Sequence, residues 1–225
     1  AGSDVYTPGD FPEIDVLILT HDHYDHLDYK TILELKPKIR SVYCSLGVGA
    51  HLALWGFDEN SITEMDWWQS QKIDTGLSLT TAPGRHFSGR GLTRAKTLWS
   101  SFVLRAGIYN LFLGGDSGYD VHFKEIGNRF GPFDIAMLES GQYNTSWPYI
   151  HMMPEETVQA AIDLKAKVLM PVHWGKFTLA FHEWNDPVKR VLAKAAELKL
   201  AVTTPMIGEP VVLDVSYPDK HWWNS

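Results

Sequence analysis

The stretch THDHYDHLDY at positions 20–29 constrains this chain more than any other. His21, His23, Asp25 and His26 fall within six consecutive positions, directly after the apolar run Val16-Leu17-Ile18-Leu19. Alternate side chains of an extended segment share a face, so His21 and His23 point the same way. Asp25 and His26 then come off the turn that follows. Imidazoles and carboxylates gathered in this way suit zinc and related divalent metals. The competing reading is a His-rich polar loop without a ligand. With ten His in 225 residues, such a cluster is rare by chance.

Further polar residues follow apolar runs in the same manner. Leu77 to Ala82 reads as a strand, and the Gly-rich loop after it carries His86. Trp99 to Arg105 and Tyr109 to Leu113 read as a hairpin turning at Ala106-Gly107, whose second arm runs into GGDSGYD and Asp116. Asp134 to Leu138 and Lys167 to Pro171 read as strands, the second ending in His173-Trp174-Gly175. Between them lie expected helices at Asp28 to Leu35, Gly49 to Gly56, Tyr119 to Phe130, Pro154 to Lys165 and Pro187 to Leu200. Asp28 is placed to cap the first, and Pro154 suits the opening turn of the fourth. Ile14 to Thr20, Ser41 to Ser45, Ser61 to Met65 and Val211 to Val215 complete the expected strands. Ile14 to Thr20 is apolar almost throughout and is expected to be buried on both faces. The alternation of strands and helices marks an α/β chain. No linker divides it, so residues 1–225 are expected to form one domain.

THDHYDHLDY resembles the His-x-His-x-Asp-His signature of the metallo-β-lactamase superfamily. Tyr24 and the trailing Leu27-Asp28-Tyr29 resemble the branch containing N-acylphosphatidylethanolamine-hydrolysing phospholipase D and its bacterial relatives. EIGNRFGPFD and MPEETVQAAIDLKAKVLMPVHWG are also close to that branch. The resemblance implies an αββα sandwich with two metals at one edge. It implies that His21, His23 and His86 hold one metal, that Asp25, His26 and His173 hold the other, and that Asp116 bridges them. It implies zinc, with manganese or iron as alternatives, and a hydroxide shared by the two ions as nucleophile. Asp25 is assigned either ligation or positioning of that hydroxide. His151 and His182 resemble positions lining the substrate cleft, where each is expected to face the metals without touching them. The expected reaction is hydrolysis of a small or lipid-like phosphodiester. A sugar-phosphate lactonase is the enzymatic alternative, and a catalytically silent metal-binding scaffold is the alternative of another class.

Composition narrows the partners. A net charge of −7 with no Lys/Arg block disfavours a nucleic-acid groove. The single cysteine, Cys44, excludes an internal disulfide and a cysteine-based metal site. No apolar run reaches the length of a membrane span. With one Cys and no signal peptide in the chain as given, a cytoplasmic location is expected. Only twenty residues precede His21, whereas several strands precede the motif in the family. The sandwich is therefore expected to lack its N-terminal strands, or to cover the exposed edge with a second copy.

Overall fold

The computed structural model describes residues 5–176 and 179–224. The chain begins with β1 (Ile14–Leu19), α1 (Tyr29–Leu35), β2 (Ile39–Ser45), α2 (Gly49–Leu54) and β3 (Ile62–Met65). The three strands form a parallel sheet in the order β1-β2-β3. α1 starts where expected because the Asp28 carboxylate accepts the Thr31 N–H at 2.8 Å, which satisfies a donor that the first turn leaves open.

A second, seven-stranded sheet follows. β4 (Ser70–Asp74), β5 (Leu77–Pro83), β6 (Ser100–Ala106) and β7 (Tyr109–Leu113) form an antiparallel meander. α3 (His122–Phe130), β8 (Ile135–Glu139), α4 (Pro154–Asp163), β9 (Val168–Val172), α5 (Asp186–Leu198) and β10 (Ala201–Val202) complete it with parallel strands. The order across the sheet is β10-β9-β8-β7-β6-β5-β4.

Three apolar clusters show how the layers stack. Leu19, Val42 and Cys44 pack with Leu27, Ile32 and Leu52, joining the small sheet to α1 and α2. Met65, Leu79 and Phe102 pack with Ile18, Tyr43 and Leu113 between the sheets. Val103, Phe112 and Leu138 pack with Phe123, Val158 and Val191, joining the large sheet to α3, α4 and α5. The layers are therefore helix, sheet, sheet, helix. Neighbours along one strand serve different interfaces, as Phe102 and Val103 do, because successive side chains leave opposite faces. A strand between two covered faces must be apolar throughout, and this is what the run 16–19 encodes.

Several details differ from the sequence reading. Val16, Leu17 and Ile18 are only half-buried. β1 pairs with β2 alone among the described residues and lies at the sheet's edge. Val211 to Val215 is not a strand: it closes a small turn with one isolated bridge, Val212 to Ser216, and Val215 is exposed. The edge of the sheet beside β9 is already taken by Ala201–Val202. β4 escaped the sequence reading because SQKID is polar and lies on the opposite edge. The hairpin turns one residue later than expected, at Gly107-Ile108, where Gly107 takes φ +60°.

The topology creates one functional edge. β5 and β7 both run antiparallel to β6, and β8 and β9 run parallel to β7. The carboxyl ends of these four strands therefore emerge together. The Ser100 N–H donates to the Thr20 carbonyl at 2.9 Å and docks the end of β1 at the same edge.

Candidate metal centre

Each residue of the centre follows a strand that ends at this edge. His21, His23, Asp25 and His26 follow β1, His86 follows β5, Asp116 follows β7 and His173 follows β9. The structure brings all seven together as two overlapping sets. His21, His23, His86 and Asp116 form one, and Asp25, His26, His173 and Asp116 the other.

In the first set, His23 Nδ1 lies 3.1 Å from both His21 Nε2 and His86 Nε2. Asp116 Oδ2 lies 3.9 Å from His21 Nε2 and 3.8 Å from His86 Nε2. In the second, His26 Nε2 and His173 Nε2 are 3.2 Å apart. Asp25 Oδ2 lies 3.6 and 3.1 Å from them, and Asp116 Oδ2 lies 3.2 and 3.6 Å from them. Ligands 2.0–2.1 Å from a tetrahedral zinc would be about 3.3 Å apart. Both sets have that spacing.

The donor chemistry also fits cations. His86 Nδ1 donates to the Ile150 carbonyl at 2.9 Å, so the lone pair of a neutral His86 is on Nε2 and faces the cluster. His21 Nδ1 meets Thr20 Oγ1 at 3.0 Å. Nitrogens oriented like this cannot all be satisfied by one another's protons, because a neutral imidazole carries one N–H. Burial pushes His21 well below its ordinary range and His86 down to about 4, and it lowers His23 as well. These rings are thus held neutral, the form that binds metal. Burial opposes ionisation of Asp116, yet the His26 hydrogen bond and the imidazoles of His173 and His21 hold it well below the usual carboxylate range. Asp116 Oδ1 is buried and has no hydrogen-bond partner among the described residues. At Asp25 too, burial is outweighed, chiefly by the His173 hydrogen bond, and its carboxyl is held at about 2. At His173 burial is outweighed by the Asp25 hydrogen bond and the charges of Asp116 and Glu139, which push it up to about 9, so a cation there would have to displace a proton. Two ionised carboxylates beside the neutral His21, His23 and His86 are a ready seat for divalent cations.

The rest of the architecture holds these candidate ligands in place. Asp22 is buried, with Oδ1 accepting the Gly89 N–H at 2.7 Å and Oδ2 lying 3.3 Å from His51 Nε2. Arg90 Nη1 donates to the carbonyls of Asp22 and Leu27, at 2.9 and 2.6 Å, and so clamps the 22–27 loop. The Tyr24 hydroxyl returns a bond to the Arg90 carbonyl at 2.8 Å. His173 takes φ +63°, a conformation rare for a non-glycine residue. Its carbonyl lies so close to Gly141 that a Cβ there would come within 1.9 Å.

A cavity of about 270 Å³ opens over the cluster, walled by Phe87, Gln142, Trp147, Ile150, His151 and Leu179. His151 stacks at 13° to the His173 ring, with centroids 5.8 Å apart. His182 is not among the lining residues. Its Nε2 lies 2.9 Å from the Gly141 carbonyl, and its ring stacks on Tyr143 with centroids 4.2 Å apart. A second cavity, about 500 Å³, adjoins His173 on the side of Trp174, Trp184 and Trp222. Sequence reasoning overlooked Asp22, Arg90 and Glu139, the last fully buried beside His151 and His173. Glu139 carries the same signal as the ligands, a polar residue at the carboxyl end of an apolar strand. Arg90 offers no local signal, since its role depends on a loop 63 residues away in sequence.

Comparison with known proteins agrees with this architecture. The sequence profile of the Beta-lactamase superfamily domain matches residues 4–174. An uncharacterised protein of Mycobacterium tuberculosis is 44% identical over 218 residues, covering 94% of this chain and 58% of its own length. The N-acyl-phosphatidylethanolamine-hydrolyzing phospholipase D 1 of Caenorhabditis elegans is 31% identical over 207 residues, covering 84% of this chain and 58% of its own. The chain thus spans somewhat over half the length of these relatives. An isothiocyanate hydrolase from Delia radicum gut bacteria shares the fold at a TM-score of 0.73 and 20% identity, covering 93% of this chain and 80% of its own. The profile match over most of the chain, together with the four-layer fold, shows that the protein belongs to the β-lactamase superfamily, in its metallo-hydrolase fold.

Proposed function

We propose that the protein is a hydrolase that holds two divalent cations, zinc foremost with manganese or iron as alternatives, and cleaves a phosphodiester. One observation carries this reading: two four-residue ligand sets of metal-site dimensions share a single buried carboxylate, Asp116. When bound, two such cations would bring the pKa of a coordinated water near neutrality and neutralise charge developing on a phosphoryl oxygen.

The chain's own residues supply the remainder. Asp25 is exposed enough at the cavity floor to accept a proton or a hydrogen bond from the attacking group. His151, on the wall, is placed to hold a phosphate oxygen or a proton for the leaving group. His182 acts from further off in this proposal, by bracing the Gly141 backbone against which His173 packs. Phe87, Trp147, Ile150 and Leu179 exclude water from the cavity and offer contact to an apolar substituent. The choice of a phosphodiester, small or lipid-like, is supported by the 31% identity to the nematode phospholipase D. Among the described residues no helix is long and apolar enough to cross a membrane.

The test is hydrolysis of bis(p-nitrophenyl) phosphate with added zinc or manganese, alongside lactones and thioesters. Turnover of the phosphodiester is expected. Asp116→Ala should abolish most of it and release at least one metal, a larger loss than the roughly 10–100-fold typical of an outer partner. Lactone or thioester hydrolysis without phosphodiester turnover would overturn the substrate assignment. Full turnover and full metal content in Asp116→Ala would overturn the shared-ligand assignment.

A further inference from the structure

Glu139 is the last residue of β8, and its side chain is fully buried. A carboxylate in such a place is costly unless it is hydrogen-bonded or paired. Oε1 accepts the Met152 N–H at 2.7 Å and lies 3.5 Å from His151 Nδ1. Oε2 is buried and has no hydrogen-bond partner among the described residues, and the same is true of His151 Nδ1 and His173 Nδ1. The three residues each bring a polar atom to within 4.8 Å of the others. One carboxylate and one nitrogen from each of two rings are thus gathered at a single buried point, with His151 presenting Nδ1 to Glu139. His173 must leave Nε2 unprotonated to serve the centre, where that atom is 3.1 Å from Asp25 Oδ2 and 3.2 Å from His26 Nε2. A neutral His173 then carries its proton on Nδ1, which is buried and has no hydrogen-bond partner among the described residues.

We propose that Glu139 is a positioning residue for two imidazoles at once. Its carboxylate accepts the Nδ1 proton of His173 and so directs Nε2 at the metal centre. It also accepts the Nδ1 proton of His151 and so leaves His151 Nε2 to the cavity. A carboxylate behind a metal-binding histidine fixes its tautomer and raises its basicity. Behind a proton-transferring histidine it fixes the tautomer and the direction of the ring. Here one side chain performs both tasks, so a metal ligand and the cavity-wall histidine share one orienting group. The backbone supports the arrangement. The Met152 N–H bond to Oε1 and the Thr157 Oγ1 bond to the Glu139 carbonyl, at 3.0 Å, fold the 140–153 loop back so that His151 lies over β8. The consequence for turnover rests on the hydrolase reading above, but the orientation of the rings does not.

The decisive measurement is long-range proton–nitrogen NMR of the zinc-loaded full chain with nitrogen-15 histidine. His151→Gln assigns one ring and His173→Gln the other. Both His151 and His173 should appear as Nδ1–H tautomers. Glu139→Gln should then lose the single tautomer at His151 and weaken the zinc site on the His173 side about 10–100-fold in chelator competition. Its loss of turnover should fall on kcat more than on KM. His151→Gln, by contrast, should keep both zinc affinities while losing turnover. An Nε2–H tautomer at either ring in the wild-type protein would overturn the proposal, whether or not Glu139→Gln folds. So would a folded Glu139→Gln that retains both tautomers and both zinc affinities. Absence of phosphodiester turnover in the wild type, with the tautomers as expected, would overturn the substrate reading and leave Glu139's role standing.

Discussion

At the scale of single residues, the candidate centre combines His21, His23 and His86, which burial holds neutral, with Asp25 and Asp116, which their neighbours hold ionised. His122 shows the same force outside the ligand set. Burial pushes it down to about 4, against the pull of Asp120 and together with the repulsion of Arg85. Its Nε2 meets Ser117 Oγ at 3.2 Å. Above its unfolded value of 6.5 both states are neutral, and His122 adds no pH dependence. As pH falls from there to about 4, the unfolded chain takes up a proton that the folded chain refuses, so stability falls. The loss should reach about 2–3 kcal/mol after allowance for partial exposure. Denaturant melts of the wild type and His122→Gln at pH 7.5 and 4.5 measure it. The variant should lose less stability on acidification by that amount, and equal losses would contradict it.

At the scale of elements, each candidate ligand follows a strand end, and close backbone contacts set its position. The turn after β8 is the most demanding. A Cβ on Gly141 would meet the His173 carbonyl at 1.9 Å and the Trp174 Cα at 2.7 Å. These are backbone atoms and cannot rotate away. Gly141→Ala must therefore push the β9 end outward, at a cost of about 1–3 kcal/mol for forced overpacking. It should also weaken metal binding on the His173 side and leave the His21, His23 and His86 side intact. Metal titration of the purified variant would show one site weakened. Two unchanged sites would mean that the turn has room to shift without moving His173.

At the scale of the whole molecule, the metals would tie the two sheets together. His21, His23, Asp25 and His26 come from the small sheet, whereas His86, Asp116 and His173 come from the large one. Among the described residues the cluster between the sheets has three fully buried members, Met65, Leu79 and Phe102. Cations held at the common edge should contribute accordingly to the cohesion of the sandwich. A ligand at 1,000 times its Kd stabilises by about 4 kcal/mol, and each kcal/mol moves Tm by about 2–4 °C in a chain of this size. Chelation should thus lower Tm by roughly 10 °C, read by calorimetry with and without EDTA. A shift below about 1 °C would show that the sheets hold together without metal.

The 20–29 cluster stood out in the sequence by its own composition, whereas His86, Asp116 and His173 were named through the family resemblance, each lying in a loop shortly after an apolar run. Asp28 as a cap was legible because capping is a local property. Elements whose state depends on what lies beside them were not. SQKID became a strand only because β5 offered an edge, and VVLDV did not because β10 already occupied the other one. The sequence by itself determined which residues could bind metal and in what order they enter the fold. The tertiary structure alone decided that Glu139 meets His151 and His173, that Arg90 clamps the 22–27 loop, and that His182 turns to Gly141 rather than lining the cavity. These contacts join residues far apart in sequence or brought together by a returning loop, and no local pattern encodes a distance that exists only once the layers have packed.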